Sequence, residues 1–124
     1  MSNVIYTPDA PAAIGPYSQA IVAGGLVFTS GQIPINPATG NIEAVTIEEQ
    51  TEQVCKNMSA VLTAAGSSLE KVVKTVCFLS DMNDFAAFNA VYAKYFTGKP
   101  ARSCVAVKTL PKNVLVEVDT IAEV

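Results

Sequence analysis

Val72-Val73-Lys74-Thr75-Val76-Cys77-Phe78-Leu79 carries apolar groups at both parities and lies between two helical patterns. A strand with one wet face alternates between apolar and polar residues. Near-continuous apolarity of this kind requires burial on both faces. On its N-terminal side, Thr46 to Ala65 predicts a helix. Thr46 and Glu49 have capping-box spacing, Gly66 suits the left-handed C-terminal position, and Ile47, Val54, Met58, Val61, Leu62 and Ala65 form one stripe. On the C-terminal side, a second helix is predicted from Asn83 or Asp84 to just before Gly98, with Phe85, Phe88, Val91, Tyr92, Tyr95 and Phe96 mostly along one side. Two helices can cover one face of the sheet that holds the central strand. No chain is left over for the other face, so a further copy of the protein is expected to cover it.

Working outward, the prolines Pro8, Pro11 and Pro16 make the opening segment an extended, turning arm. Ser18–Val22 and Leu26–Ser30 flank Ala23-Gly24-Gly25 and predict a β-hairpin. Residues Gly31 to Gly40 read as a long ordered loop with Asn-Pro and Thr-Gly turn signals. The last two strands are expected at Ala101–Val107 and Val114–Ala122. In the first, Ser103, Val105 and Val107 share one face, and Arg102, Cys104 and Ala106 the other. In the second, Val114, Val116 and Val118 oppose Leu115, Glu117 and Asp119. Placing both valine sets on the helices leaves Arg102, Cys104 and Glu117 on the face reserved for a partner copy. Strands, helix, strand, helix, strands in that order give an α+β domain with a mixed sheet. At 124 residues one domain, 1–124, is expected.

Composition narrows the function. Charged residues are 15% of the chain against a usual figure of about a quarter. That again favours burial of surface against other copies. The net charge is −3 with no basic run, so the electrostatic footprint of a nucleic-acid binder is missing. There is no signal-peptide pattern at the start and no apolar run long enough to span a bilayer, so a cytoplasmic protein is expected. Cys55, Cys77 and Cys104 are odd in number and lack CxxC spacing, which argues against a disulfide framework or a metal site. Histidine is absent. Chemistry must therefore fall to carboxylates, hydroxyls, backbone groups and water.

Pro100-Ala101-Arg102-Ser103-Cys104 places a fixed cation at the start of a strand in an apolar, acidic chain. A guanidinium fork matches a planar carboxylate, so Arg102 is read as the anchor of a small organic acid. The bland reading is an ion pair with Glu117 or Asp119 in an interface.

Several stretches together resemble one known family. They are Ala12-Ala13-Ile14-Gly15-Pro16-Tyr17-Ser18-Gln19, Thr29-Ser30-Gly31-Gln32-Ile33-Pro34, Asn83-Asp84-Phe85, Asn89, Tyr92, Pro100-Ala101-Arg102-Ser103-Cys104-Val105 and Leu110-Pro111-Lys112. In this order and spacing they resemble the reactive intermediate deaminase family (RidA, also YjgF). The resemblance implies a homotrimer of chorismate-mutase-like fold, with sheets lining a central barrel and helices outside. It implies hydrolysis of enamines and imines such as 2-aminoacrylate and 2-iminobutanoate to 2-oxo acids and ammonia, without a cofactor, in clefts between subunits. Carried over by position, Arg102 binds the substrate carboxylate, and Tyr17, Ser30, Gly31 and Asn89 line the cleft. Cys104 lies beside the ligand, and Glu117 positions or activates water. The alternative is a non-catalytic sensor of 2-oxo acids using the same cleft. One departure concerns the rim: only Thr97-Gly98-Lys99 separates Phe96 from Pro100, shorter than the family pattern and without its aromatic.

Physical roles follow from residue chemistry. Burial raises the pKa of Glu117 and a nearby Arg102 lowers it; the sequence leaves the balance open. No base neighbours Cys104 or Ser30 in sequence. Cys104 therefore reads as a small buried hydrophobe, and Ser30 as a hydrogen-bonding group. Gly31 either exposes its N–H to an anion or permits a turn. Tyr17 either lids the cleft or fills an interface, and Asn89 either touches ligand or only caps or braces a loop. Cys55 and Cys77 read as core.

Overall fold

The computed structural model describes residues 2–124. Its chain order is β1 (Asn3–Ile5), β2 (Ala20–Ala23), β3 (Leu26–Thr29), α1 (Ile47–Ala64), β4 (Val72–Leu79), α2 (Phe85–Tyr95), β5 (Ala101–Ala106) and β6 (Val116–Glu123). These strands form one sheet in the order β1-β2-β3-β6-β4-β5. Neighbours are antiparallel except for β4 and β5, which run parallel. The class is α+β with a mixed sheet, as expected.

Local chemistry sets the elements. Gly24 and Gly25 both have positive φ, 61° and 79°, and close the β2–β3 hairpin with backbone that other residues adopt at a cost. The Thr46 hydroxyl accepts from the Glu49 N–H at 3.1 Å, and the Glu49 carboxylate accepts from the Thr46 N–H at 3.2 Å. That capping box fixes where α1 starts. Packing fixes its place: Val54, Met58, Val61 and Leu62 are fully buried against the sheet. Each contributes about 1.5–3 kcal/mol, so the apolar stripe outweighs the cap, which is worth ~1 kcal/mol. Phe88 and Tyr92 of α2 and Phe96 just beyond it join the same core, facing Val27, Cys77, Leu79, Val116 and Val118. A short 3-10 turn at Met82–Asp84 takes the place of the predicted first turn of α2. A similar turn at Pro111–Asn113 delays β6 to Val116. The three-residue β1 was not anticipated within the proline-bearing arm.

Both helices lie on one face of the sheet. In the single chain the other face is open: Phe28 and Val105 are exposed, and Val76, Phe78 and Ile121 are half-buried. One facing assignment from the sequence is overturned. β5 pairs with β4 in the register Thr75↔Arg102 and Cys77↔Cys104. Thr75 and Cys77 are buried beneath the helices, so Arg102 and Cys104 face the helices as well. Ser103 and Val105 lie on the open face, with Val76 and Phe78. Glu117, paired with Phe78, lies on that open face too. Within the chain, then, Arg102 and Glu117 occupy opposite sides of the sheet. Alternation divides a strand into two faces, but only the pairing with β4 decides which is which.

Candidate functional site

The open face ends in a groove of about 920 Å³ whose lining includes Tyr17, Ser30, Gly31, Lys112, Glu117 and Asp119. Beyond β3 the chain stays beside β6, because Gln32 exchanges backbone hydrogen bonds with Val118 at 2.8 and 3.2 Å. This brings Gly31 beneath Glu117. A Cβ on Gly31 would overlap the carboxylate, with the Glu117 Cδ at 2.8 Å. Gly31 is a glycine here so that Glu117 can lie over it. Burial holds the Glu117 carboxyl above the ordinary range, and the nearby Asp119 adds to the rise. Asp119 is also raised, chiefly by burial, against an opposing effect of Lys74. The Ser30 hydroxyl donates to the Ser18 carbonyl at 2.6 Å, so its lone pairs remain available to accept. Tyr17 is half-exposed on the outer wall.

The helix-side face holds a smaller hollow of about 390 Å³ between α2 and β5, lined in part by Asn89, Tyr92, Phe96 and Arg102. Arg102 donates to the Asn89 Oδ1 at 2.7 Å. Its guanidinium carbon lies 4.9 Å from the centre of the Tyr92 ring and 5.4 Å from that of Phe85. The aromatic shelf and the amide fix the fork in place. Among the described residues the only ion pair joins Lys56 and Glu52, so no carboxylate occupies Arg102. The Cys104 side chain packs toward the core, and burial raises its pKa against the lowering effect of Arg102.

Comparison with known proteins places this arrangement. The family described as Endoribonuclease L-PSP matches residues 7–124. A Lactococcus lactis protein named as a candidate regulator, AldR, is 56% identical over 123 residues, covering 98% of each chain. A Yersinia pestis crystal structure, described as a protein of unknown function of the Rid family, YyfA, superposes with a TM-score of 0.97 at 52% identity, covering 100% of both chains. The chain belongs to the RidA (YjgF) family. A further family structure, Escherichia coli TdcF with bound serine, matches with a TM-score of 0.94 at 43% identity over 98% of each chain.

In this RidA-family chain the candidate residues fall into two sets. Tyr17, Ser30, Gly31 and Glu117 meet in the groove; Asn89 and Arg102 line the hollow on the other side, and Cys104 shares that side of β5 but packs toward the core instead of lining the hollow. Among the described residues neither the groove nor the hollow holds both sets. Asn89 braces the guanidinium, which is neither the ligand contact nor the loop cap or brace expected from the sequence.

The sequence reading missed the clamps that shape the groove. Buried Gln19 donates to the carbonyls of Thr7 and Pro11 at 3.0 and 2.8 Å and accepts from the Thr7 N–H at 2.7 Å. It ties down the arm that carries Tyr17. Buried Asn57 donates to the carbonyls of Ile33 and Ile35 at 3.1 and 2.9 Å, holding the loop after Gly31 to α1. The one local signal is that Asn57 falls at helical spacing from Val54 and Val61, on the apolar stripe of α1. Among the described residues no three His, Cys, Asp or Glu side chains converge as a metal cluster, and no helix is long and apolar enough to cross a membrane.

Proposed function

We propose that this protein hydrolyses small enamines and imines of 2-oxo acids, in a cleft built by two protomers of a homotrimer whose sheets line a barrel. The observation carrying this is the division of the candidate residues: an unpaired, braced guanidinium on one side of the sheet and a desolvated carboxylate on the other. A second copy docked on the open apolar face supplies the missing half. Arg102 of one protomer holds the substrate carboxylate through a charge-assisted fork. Glu117 of its neighbour takes a proton from water as the water oxygen bonds to the imine carbon. Glu117 returns that proton to the nitrogen, giving the carbinolamine; it then carries the hydroxyl proton to the same nitrogen as the carbonyl forms and the carbon–nitrogen bond breaks, and ammonia and the 2-oxo acid leave. Ser30, Gly31 and Tyr17 line the water side; Cys104 flanks the carboxylate. Orientation and exclusion of bulk water supply most of the acceleration such a reactive electrophile needs. With net charge −3 and no histidine, the chain is less suited to RNA cleavage, which the family description names.

The test is subunit complementation. Arg102→Ala and Glu117→Gln are each expected to lose acceleration of 2-oxobutanoate release from a threonine dehydratase reaction. Mixed and reassembled, they should regain activity, since roughly a quarter of clefts in a random ring combine both wild-type halves. Mixtures that stay inactive would sink the shared cleft. Ligand binding without acceleration in the parent protein would favour a sensor of 2-oxo acids, a reading supported by the relative named as a candidate regulator.

A further inference from the structure

The hollow beside Arg102 holds a second cation. Its lining includes Lys99 as well as Arg102, and none of the lining residues is a carboxylate. One monocarboxylate needs one fork. Arg102 directs one N–H at Asn89 and keeps others for such a group. Lys99 has no ion-pair partner among the described residues.

The backbone adds an independent observation. Lys99 sits at φ 52°, in the left-handed region that a non-glycine residue adopts only at a cost. Pro100 follows and disfavours compact backbone at the residue before it. The Lys99 N–H closes the turn onto the Phe96 carbonyl at 3.4 Å, a task that glycine performs without strain. Gly98 cannot exchange roles with it, since a Cβ there would lie 3.0 Å from the Glu70 carbonyl oxygen. Strain of this sort gathers at ligand clamps, where the side chain has a use.

We infer that Lys99 and Arg102 form a two-anion site and that the substrates of this chain are imines of amino acids bearing a second acidic group, with Arg102 on the α-carboxylate and Lys99 on the distal one. This rests on the deaminase reading and names its substrate class. The compact ammonium on a flexible stem tolerates distal carboxylates at differing reach.

Two measurements test it. First, imines are generated in place by oxidases acting on glutamate or methionine and trapped with semicarbazide. The protein should show the higher kcat/KM on the glutamate-derived imine. Lys99→Gly, which also relaxes the turn, should lower the ratio of the two kcat/KM values about tenfold, the scale of one charge-assisted hydrogen bond. Lys99→Arg should keep most of the preference. Second, titration calorimetry with 2-oxoglutarate and 2-oxobutanoate reads the site without turnover. Tighter binding of the diacid, lost in Lys99→Gly, supports it. Equal binding of both acids, an unchanged ratio, or a weakened assembly with an unchanged ratio overturns it. Turnover of neither imine together with preferential diacid binding would defeat the deaminase reading and leave the two-anion site standing.

Discussion

The Glu117 carboxylate lies on the Cα of Gly31, in space that any side chain at residue 31 would occupy. A strand residue and a loop residue are thereby fitted to each other, through the Gln32–Val118 bridge that brings the loop alongside β6. Gly31→Ala should push the carboxylate aside, because the obstructing atoms are the end of a flexible side chain. Stability should then change by less than about 1 kcal/mol, within the ordinary range for a change the surroundings can absorb. Imine turnover should fall at least about tenfold, the loss expected when a general base is misplaced. In a Glu117→Gln background the same substitution should do little more. Thermal melts and kcat/KM for the four proteins check this; additive losses would separate Gly31 from Glu117.

Glu117 and Asp119 share one face of β6, and each carboxyl is held above its ordinary range, chiefly by burial. A base must be ionised, so activity should fall as pH drops through the raised Glu117 pKa. Asp119→Asn removes the like charge and should move that acid limb to lower pH. The linkage has a definite sign. A carboxyl whose pKa is raised on folding favours the native state at low pH, and that contribution disappears as pH rises through the folded value. Glu117→Gln should accordingly stabilise the protein near neutral pH, with the advantage vanishing below the carboxylate range. A pH–rate profile and urea melts at two pH values decide; an acid limb unmoved in Asp119→Asn would remove Glu117 from the base role.

Asn89 holds the Arg102 guanidinium from one side while Tyr92 and Phe85 lie against it. On the proposed function it is expected to act through Arg102 as a positioning residue. Asn89→Ala should raise KM several-fold and lower kcat less, since the fork keeps its charge and its shelf; one lost hydrogen bond to a charged group is about 1.5–3 kcal/mol. Arg102→Lys keeps the charge and loses the fork, and should be impaired more on both constants. A drop confined to kcat in Asn89→Ala would place the amide in the chemistry instead.

What was legible in the sequence was local. The capping box at Thr46 and Glu49, the Gly24-Gly25 turn and the valine alternation of β6 are each complete within a few residues, and each formed as read. The side of the sheet faced by Arg102 was not local, because it depends on β5 meeting β4 at Thr75↔Arg102. β5 is also an edge strand with apolar residues on the open face, so polarity alone misdirected the assignment. The candidate residues were named from their motifs; their division between two faces could be seen only in the assembled sheet. Gln19 and Asn57 escaped notice because their carbonyl partners lie 8 to 24 residues away.

Gln19 gives the last prediction. Its side chain is buried and joined to Thr7 by two hydrogen bonds and to Pro11 by a third. Replacing it with alanine strands the Thr7 N–H and two carbonyls, and each buried group left unsatisfied costs about 1–3 kcal/mol. Water entering the vacated space would recover part of that. Gln19→Ala should thus destabilise by about 2–4 kcal/mol, since several orphaned groups outweigh one hydrogen bond. The arm it releases carries Ile14 and Tyr17, which form the outer wall of the groove. Hydrogen exchange should then rise across residues 7–17 while α1 stays protected, and KM for imines should increase. Gln19→Glu keeps the acceptor toward Thr7 and loses the donors toward the carbonyls, so it should fall between the two. Wild-type exchange in the arm of Gln19→Ala would show that the proline-bearing segment holds its path without the clamp.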